Sequence, residues 1–323
     1  MRTLVIDLPH PTLSHTPWLV RLQFGFLNMT RGTQPRWHAH PYNRAELYQL
    51  TAALGWLPRR LRLGLARRVG HLAQSFLPNE RAIIRKTMAT MTGATGRRLD
   101  ELTVAVFGEF AMCFSDLITA SRHPKRLGAY VGAIQGVGID RLEGLDGPVI
   151  SLTAHIGNWE LAGRILAQHS ARTTHVVVAV EEARVLERWL RRDGSGLHFV
   201  PRSEPTVSLT LMAALRRGEA VGLQGDRALG NRGDVPVPFF GRPAPFPIGP
   251  FQLARAAAVP IVPAFCTLDA DGRYVLKVFE PLKVVRGGEE DALRAWVGML
   301  ERLVAQKPTQ WFNFFDIWSP FGA

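Results

Sequence analysis

Cysteine is scarce in this sequence of 323 residues, which contains only Cys113 and Cys266, far apart along the chain. Two isolated thiols in apolar surroundings provide neither a disulfide framework nor the spacing of a metal site, so we expect a reducing compartment, no metal and no cofactor. Long apolar runs are also missing, since none reaches the roughly 18 to 20 uninterrupted residues that span a bilayer. The first residues, MRTLVIDLPHPTLSHTP, place acid and proline where a signal peptide has its apolar segment. The sequence therefore predicts a protein that is soluble or attached to a membrane peripherally.

Acidic residues are outnumbered by basic ones, with 27 Asp and Glu against 39 Lys and Arg and a formal net charge of +12. Such a balance favours an acidic partner, and nucleic acid, an anionic membrane surface and an acidic carrier protein each fit. The sequence contains no recognised nucleic-acid motif, and its arginines are interleaved with leucines rather than with exposed aromatic residues. Nucleic-acid binding is therefore the weakest of the three interpretations, and we expect no nucleic-acid partner.

The densest basic run is LPRRLRLGLARRVGHLAQSFLP, which begins at Leu57. Helical spacing places several apolar side chains on one stripe flanked by arginine, namely Leu57, Leu61, Leu65, Val69 and Leu72. A basic amphipathic helix of this kind is typical of a membrane-surface element. The pattern is equally typical of a helix that packs its apolar stripe on the core and leaves its basic face in solvent. The sequence leaves both interpretations open.

The organisation of the chain changes near residue 130. Residues 43–125 read as helical, whereas later residues alternate short apolar runs typical of strands with helical segments. This alternation predicts an α/β fold with a mixed, largely parallel sheet flanked by helices and preceded by an N-terminal helical extension. We expect a helical, membrane-associating region over 1–125 and an α/β core over 126–323, joined in one continuous structural domain.

Polar side chains follow three of the predicted strands at the point where each strand ends. His155 follows VISLTA, Glu181 and Glu182 follow VVVAV, and Asp226 and Arg227 follow AVGLQG. In an open α/β sheet, ligands bind beyond the carboxyl ends of the strands. These side chains are therefore predicted to meet at one edge of the sheet.

His155 and Glu160 are candidates for a proton-transfer pair. On an unbroken helix, positions five apart point about 140° away from each other. The two side chains meet only if the strand ends at His155, the chain turns at Ile156–Gly157, and Asn158 caps a new helix with Glu160 in its first turn. Glu160 would then accept from one ring nitrogen of His155 and leave the other nitrogen to take a proton. A buried structural histidine beside an ordinary first-turn acid remains the alternative that spacing alone does not exclude.

The stretch AHIGNWE resembles the His-x4-Asp/Glu motif of the lysophospholipid acyltransferase superfamily. The segment that begins GDRALGNRGDVPVPFFG and the ending PTQWFNFFDIW resemble one branch of it, the late (lauroyl and myristoyl) acyltransferases of lipid A and the phosphatidylinositol mannoside acyltransferases. The resemblance runs from about residue 45 to residue 318. It implies a glycerolipid acyltransferase-like fold, with His155 as general base, Glu160 as its orienting partner and Asp226 as a further site acid.

The resemblance also implies arginines that bind substrate. Arg232 matches an arginine that the branch places before VPFFG, and either Arg191 or Arg192 matches another. Guanidinium groups suit phosphate-bearing substrates because they form forked, charge-assisted hydrogen bonds. Arg227 is a weaker candidate, since pairing with nearby acids explains it equally well. Gly249, followed by proline, is predicted to open a helix whose first N–H groups face a phosphate or an oxyanion, although an ordinary connection explains it too.

The predicted function is transfer of a fatty acyl chain from an acyl-carrier-protein or CoA thioester to a hydroxyl of a lipid or glycolipid. The expected location is the cytoplasmic face of the inner membrane, with peripheral attachment to its anionic surface. The nature of the acceptor stays open between lipid A, another glycolipid and an aminolipid. An acyl thioester hydrolase that uses the same pair of residues on water is the alternative, because acyl transfer requires a site that excludes water.

Overall fold

The computed structural model describes residues 51–123, 130–136, 147–170, 172–178, 197–202, 205–228, 230 and 233–319. All of them lie within one compact unit, Trp37–Ala323. Three helices come first among the described residues, α1 (Arg59–Ala73), α2 (Pro78–Thr92) and α3 (Gly96–Arg122). The N-terminal helical extension predicted from the sequence is therefore confirmed.

Helices α1 and α3 pack with their backbones in close contact. A side chain at Gly70 of α1 would overlap the carbonyl oxygen of Phe107 in α3, so only glycine permits this approach. The contact is reinforced by a buried ion pair in which Arg62 Nη2 lies 2.6 Å from Asp116 Oδ1. Arg59 Nη2 lies 2.6 Å from the other carboxylate oxygen. These contacts fix which face of α1 turns inward.

Helix α3 is the one helix among the described residues that is long and apolar enough to cross a membrane. Two-thirds of its most apolar window (67%) is buried inside the protein. Its Asp116 is fully buried against arginine, as expected of a core helix and not of a lipid-facing one. Length and composition alone are therefore weak evidence for a membrane span here.

The rest of the described chain builds an α/β layer structure. Its elements are β1 (Val131–Gly136), β2 (Val149–Thr153), α4 (Trp159–Ser170), β3 (Thr174–Val178), β4 (Leu197–Pro201), α5 (Val207–Arg216), β5 (Ala220–Gln224), β6 (Asp234–Phe239), β7 (Arg242–Pro247), α6 (Gly249–Ala257), β8 (Ile261–Leu268), β9 (Tyr274–Val278) and α7 (Glu289–Gln306). The seven-stranded sheet, counted over the described residues, has the order β1-β9-β8-β2-β5-β3-β4. All neighbouring pairs in it are parallel except β8 and β9, which are antiparallel. The α/β fold class with a mixed, largely parallel sheet is thus confirmed.

A separate hairpin, β6–β7, was not predicted, because its strands are rich in proline. Its two-residue turn, Phe240–Gly241, has positive φ at both positions, which is typical of a tight hairpin turn. The prolines face each other in pairs, Pro236 with Pro245 and Pro238 with Pro243. Counted from this turn, the proline pairs are the ones whose backbones exchange no hydrogen bonds. The missing N–H of proline therefore removes no hydrogen bond between the two strands. The sequence pattern conceals the hairpin, although its backbone pairing is intact.

The described helices and strands do not test the predicted division of the chain near residue 125. The helices before it and the sheet after it lie within the same compact unit. The assignment of 1–125 and 126–323 to two regions of one domain therefore stays a prediction.

Candidate active site

The segment between β2 and α4 is a tight turn that only glycine permits at one position. Gly157 has a φ of 55°, and a side chain there would overlap the carbonyl oxygen of Cys266. The Gly157 N–H donates to the Gln310 carbonyl at 2.8 Å, and the Asn158 N–H donates to the Cys266 carbonyl at 3.1 Å. Strand β8 and the C-terminal segment thus hold the turn from two sides. The predicted turn at Ile156–Gly157, followed by a helix with Glu160 in its first turn, is confirmed, although β2 ends at Thr153 and not at His155.

The register of two neighbouring strands brings Asp226 to His155. Strands β2 and β5 are parallel, and their last described pair joins Thr153 to Gln224. Two residues further along each strand stand His155 and Asp226, which therefore lie side by side. The His155 Nδ1 atom is 2.7 Å from Asp226 Oδ1, and the His155 backbone N–H donates to Asp226 Oδ2 at 3.0 Å.

Trp311 completes the environment of this carboxylate. Its indole N–H donates to Asp226 Oδ2 at 2.9 Å, and both residues are fully buried. On the other side, the ring of Trp159 packs against the imidazole of His155 with centroids 4.8 Å apart. His155 is therefore held by the Asp226 carboxylate and by the ring of Trp159, and the carboxylate is held in turn by Trp311 from a distant part of the chain.

The predicted partner of His155 was Glu160, and the structure corrects this detail. The ring nitrogen that Glu160 was expected to orient is instead bound by Asp226. The physical reason is the register of β2 and β5, which places Asp226 beside His155. Helix α4 instead carries Glu160 into the space between the helix and the sheet. The resemblance had marked Asp226 as a site acid without giving it this position.

The electrostatics of the pair suit a general base. Burial lowers the pKa of His155 below its usual value, and the positive charge of Arg227 lowers it further against the opposing effect of Asp226. Burial by itself would raise the pKa of Asp226, but His155, Arg227 and the Trp311 N–H outweigh it and bring the pKa to about 2. At neutral pH the carboxylate is therefore ionised and the imidazole neutral. An ionised Asp226 accepts the proton on Nδ1, which leaves Nε2 with its lone pair.

Glu160 lies in the first turn of α4, in an environment different from that of Asp226. Its Oε2 atom is buried and makes no hydrogen bond to the described residues. Burial raises the pKa of Glu160 to about 7, although the charge of Arg164 acts in the opposite direction. The two acids of the region thus differ in protonation, since Asp226 is ionised and Glu160 is partly protonated near neutral pH.

Glu160 lines a largely apolar cavity between α4 and the sheet. The cavity has a volume of about 1000 Å³ including its open mouth. It extends along the whole of β2, from Thr153 beside the site to Val149 at the other end, a distance of about 13 Å at the usual rise per residue. Small residues make the space, among them Ser151, Ala162, Gly163, Ala220, Gly222 and Ala264. Trp159 lines the cavity and also packs on His155, so the cavity begins next to this histidine.

Three further predicted residues, Asn158, Arg227 and Gly249, lie within the described part of the chain. The Asn158 side-chain amide donates to the Cys113 carbonyl at 2.9 Å and to the Tyr274 hydroxyl at 3.1 Å. The Arg227 guanidinium lies 4.8 Å from the centre of the Phe315 ring and contributes positive charge beside His155. Asn158 therefore holds the turn in place, and the charge of Arg227 lowers the pKa of both His155 and Asp226.

Gly249 opens α6 with Pro250 in the first turn, as predicted. Gly249 is exposed, while the next two residues are buried in the core. Its contact with a phosphate or an oxyanion stays a prediction. Arg191, Arg192 and Arg232, together with Glu181 and Glu182, lie outside the described residues. Among the residues that the structure describes, no three His, Cys, Asp or Glu side chains are placed to share a metal ion.

Sequence reasoning missed the part played by the two tryptophans. Trp311 is fully buried, as its aromatic surroundings predict, but the sequence does not show that its indole donates to Asp226. Trp159 lies inside the quoted motif, yet nothing in the local sequence shows that its ring contacts His155. The signal for Trp311 was its place in the C-terminal segment that resembles the branch signature.

These features define the class of the site. A neutral histidine held by an ionised carboxylate, at the mouth of an apolar cavity, suits acyl transfer to a hydroxyl. The sequence matches the family described as "Bacterial lipid A biosynthesis acyltransferase" over residues 47–319, and the chain belongs to this family. This membership confirms the resemblance seen in the motifs.

Individual relatives share part of the chain. A phosphatidylinositol mannoside acyltransferase of Mycobacterium tuberculosis is 27% identical over 197 residues, which cover 60% of this chain and 61% of that protein. The protein of the same name from Mycolicibacterium smegmatis is 26% identical over 175 residues, covering 53% of this chain and 57% of its own length. The match thus spans about three fifths of the length of these relatives. The crystal structure of the 1-acyl-sn-glycerophosphate (LPA) acyltransferase PlsC from Thermotoga maritima is similar with a TM-score of 0.39 and 12% identity, covering 79% of this chain and 100% of that chain.

Proposed function

We propose that this protein transfers a fatty acyl chain from a thioester to a hydroxyl of a lipid or glycolipid, with His155 as the general base. The observation that carries the proposal is the His155–Asp226 contact of 2.7 Å at the mouth of the cavity. It supplies a neutral base in a fixed orientation, next to a space that an acyl chain fits. Family membership is consistent with this chemistry.

In the proposed reaction, the Nε2 atom of His155 takes the proton of the acceptor hydroxyl. The oxygen attacks the thioester carbonyl, and the C–S bond breaks when the tetrahedral intermediate collapses. The imidazolium then returns the proton to the departing thiolate, so His155 ends as it began. Asp226 holds the Nδ1 proton throughout and stabilises the imidazolium by its negative charge.

We assign the acyl chain to the cavity under α4. The cavity is lined by small and apolar residues over the length of β2, and apolar lining of this kind binds hydrocarbon by removing it from water. Glu160 stands near the mouth, where its buried Oε2 is placed to meet a polar group of either substrate. The orienting role proposed for Glu160 thus passes to Asp226, and a role in substrate contact remains for Glu160.

The acceptor we propose is a sugar hydroxyl of a glycolipid. The family description refers to lipid A, and the named relatives act on phosphatidylinositol mannoside. Both names describe acylation of a sugar-bearing lipid. We propose an acidic acyl-carrier protein or acyl-CoA as the donor, because either is attracted by the net charge of +12. The cytoplasmic face of the inner membrane, where donor and acceptor meet, is the proposed location.

The test is an acyl-transfer assay with a radiolabelled acyl thioester and membrane lipid, applied to His155→Ala and Asp226→Asn. We expect each variant to lose transfer by roughly 100- to 10,000-fold, the usual contribution of general-base catalysis. His198→Ala replaces an exposed histidine on β4 and serves as the matched control, with activity close to that of the parent protein. Undiminished transfer by His155→Ala contradicts the proposal. Rapid release of free fatty acid, independent of added lipid, identifies a thioester hydrolase instead.

A further inference from the structure

One face of α1 presents a continuous row of apolar side chains to solvent. We call this row the α1 stripe; it consists of Leu61, Leu65, Val69 and Leu72 on the helix and Leu57 just before it. Leu61 is 65% exposed and Leu72 is 68% exposed. Two aromatic residues extend the row beyond the helix, Trp56 at 83% exposure and Phe76 at 69%. A contiguous apolar surface of this kind is unusual in a soluble protein and marks an interaction surface.

The inward face of α1 explains why the stripe faces solvent. Arg62 is buried in its ion pair with Asp116, and Gly70 is packed on the α3 backbone. Rotating the helix to bury the leucines would leave the Asp116 carboxylate buried without its arginine partners and would break the backbone contact at Gly70. The interpretation that the stripe packs on the core is therefore wrong. The other interpretation given by the sequence, a helix at a membrane surface, remains.

The charge beside the stripe indicates what it contacts. Arg60, Arg67 and Arg68 are exposed along α1, and the helix sequence RRLRLGLARRVGHLA contains no acidic residue. Apolar side chains next to arginines suit a surface that is apolar inside and negative outside, as an anionic bilayer is. A second copy of the chain would bring arginines against arginines, which opposes self-association through this face.

A series of contacts connects α1 to the candidate site around His155. Arg67 of α1 donates to the Met112 sulfur in α3 at 3.2 Å. Phe110 of α3 packs on Phe312 with ring centroids 5.3 Å apart, and Phe312 packs on Trp159, which touches His155. One helix, α3, therefore separates the stripe from the catalytic edge.

We propose that the α1 stripe, with Trp56 and Phe76 at its ends and the exposed arginines beside it, docks the protein on an anionic lipid bilayer. The apolar side chains enter the interface between headgroups and acyl chains, and the arginines contact lipid phosphates. This inference rests on the surface itself and does not depend on the proposed reaction.

The experiment is vesicle co-sedimentation of the full chain without any acyl donor. Vesicles of phosphatidylcholine alone are compared with vesicles containing phosphatidylglycerol, at low and at high salt. We expect binding to the anionic vesicles that weakens as salt screens the arginines. The variant Leu61→Gln with Leu72→Gln is expected to bind roughly 10- to 100-fold more weakly, because it removes two side chains from the apolar contact.

The matched control replaces two apolar residues of similar exposure elsewhere, Leu209→Gln with Val285→Gln, which are 71% and 69% exposed. We expect this control to bind vesicles as the parent protein does. Arg60→Gln with Arg68→Gln should weaken binding mainly at low salt. Circular dichroism melts of each variant verify that the fold is kept.

Several outcomes overturn the proposal. Equal binding by the Leu61/Leu72 variant and the control shows that the stripe does not meet the bilayer. Failure of the parent protein to bind any vesicle does the same. A dimer in sedimentation that dissociates in the Leu61/Leu72 variant, with no vesicle binding, assigns the stripe to a second copy instead. None of these outcomes bears on acyl transfer measured with detergent-dispersed lipid, so the two proposals fail separately.

Discussion

Strand β2 sends Ile150 and Leu152 to one face of the sheet and Ser151 and Thr153 to the other. The first two are fully buried in a dense cluster with Trp296 and other residues of α7. The second two line the cavity under α4. The same five-residue strand thus builds a packed core on one side and an open space on the other.

The difference lies in side-chain size. On the α7 face, large rings fill the space, and Phe265 and Trp296 pack with centroids 5.9 Å apart. On the α4 face, positions such as Gly222 and Ala264 leave the space open. Burial of large apolar groups stabilises the fold, whereas small residues give up that stabilisation and leave the volume unfilled. One face therefore contributes stability through dense packing, and the other face leaves an open volume.

The largest expected effect comes from emptying the packed face. Trp296→Ala removes a fully buried ring that also donates to the Leu152 carbonyl at 3.4 Å. We expect the free energy of unfolding to fall by about 3 to 5 kcal/mol, the usual cost of deleting a large buried aromatic side chain. Chemical denaturation followed by circular dichroism measures it. A loss below about 1 kcal/mol contradicts the view that this face carries the stability.

A smaller effect is expected from the acid on the cavity face. The pKa of Glu160 is about 7 in the folded protein against an ordinary value of 4.5. A raised carboxyl pKa means that the folded state binds the proton more tightly, so stability is lost as pH rises through this window. Glu160→Gln removes that loss. We expect the variant to gain up to about 3 kcal/mol over the parent protein between pH 4.5 and pH 8, since each pKa unit corresponds to about 1.36 kcal/mol. Denaturation curves of both proteins across this range provide the measurement, and a difference that is constant with pH contradicts the prediction.

The smallest effect on stability, but a specific one on function, is expected at Gly222. A side chain there would meet Val176 at 3.5 Å, an ordinary contact, so Gly222→Ala fits without displacing its neighbours. We expect Gly222→Ala to change the free energy of unfolding by less than about 1 kcal/mol. Gly222→Leu fills the cavity and is expected to shift the products towards shorter acyl chains.

Mass spectrometry of products from mixed acyl thioesters measures that shift. Gly298→Leu, which adds the same side chain on the helix of the packed face, is the control and should leave the chain-length profile unchanged. An unaltered profile in Gly222→Leu contradicts the assignment of the acyl chain to the cavity. A parallel shift in the control shows that the change is not specific to the cavity.

Much of the site could be read before the fold was known. The turn at Ile156–Gly157, the helix that follows and the gathering of His155 and Asp226 at a sheet edge follow from the alternation of strand and helix patterns. The pairing inside the site could not be read. His155 and Glu160 are close in sequence, which favoured them as partners, whereas Asp226 is brought to His155 by strand register across 71 residues.

The fold shows the same division between local and distant information. Apolar runs such as VPIVPAFC predict strand β8, and the pattern also predicts parallel pairing. The hairpin β6–β7 escaped prediction because alternating prolines are usually taken as signs of a loop. Its pairing is possible because those prolines stand only where the ladder needs no N–H.

The sequence by itself determined the kinds of element, the glycine turn beside His155 and the basic, apolar stripe of α1. These depend on residues that are neighbours along the chain, and local backbone and helical geometry is enough to express them. Only the tertiary structure decided which acid holds His155, which face of the sheet stays open and which face of α1 turns outward. Each of those depends on contacts between distant segments: Asp226 with His155, α4 over the small residues of the sheet, and Arg62 with Asp116. The order of strands in the sheet makes the first two contacts, and the packing of α1 on α3 makes the third.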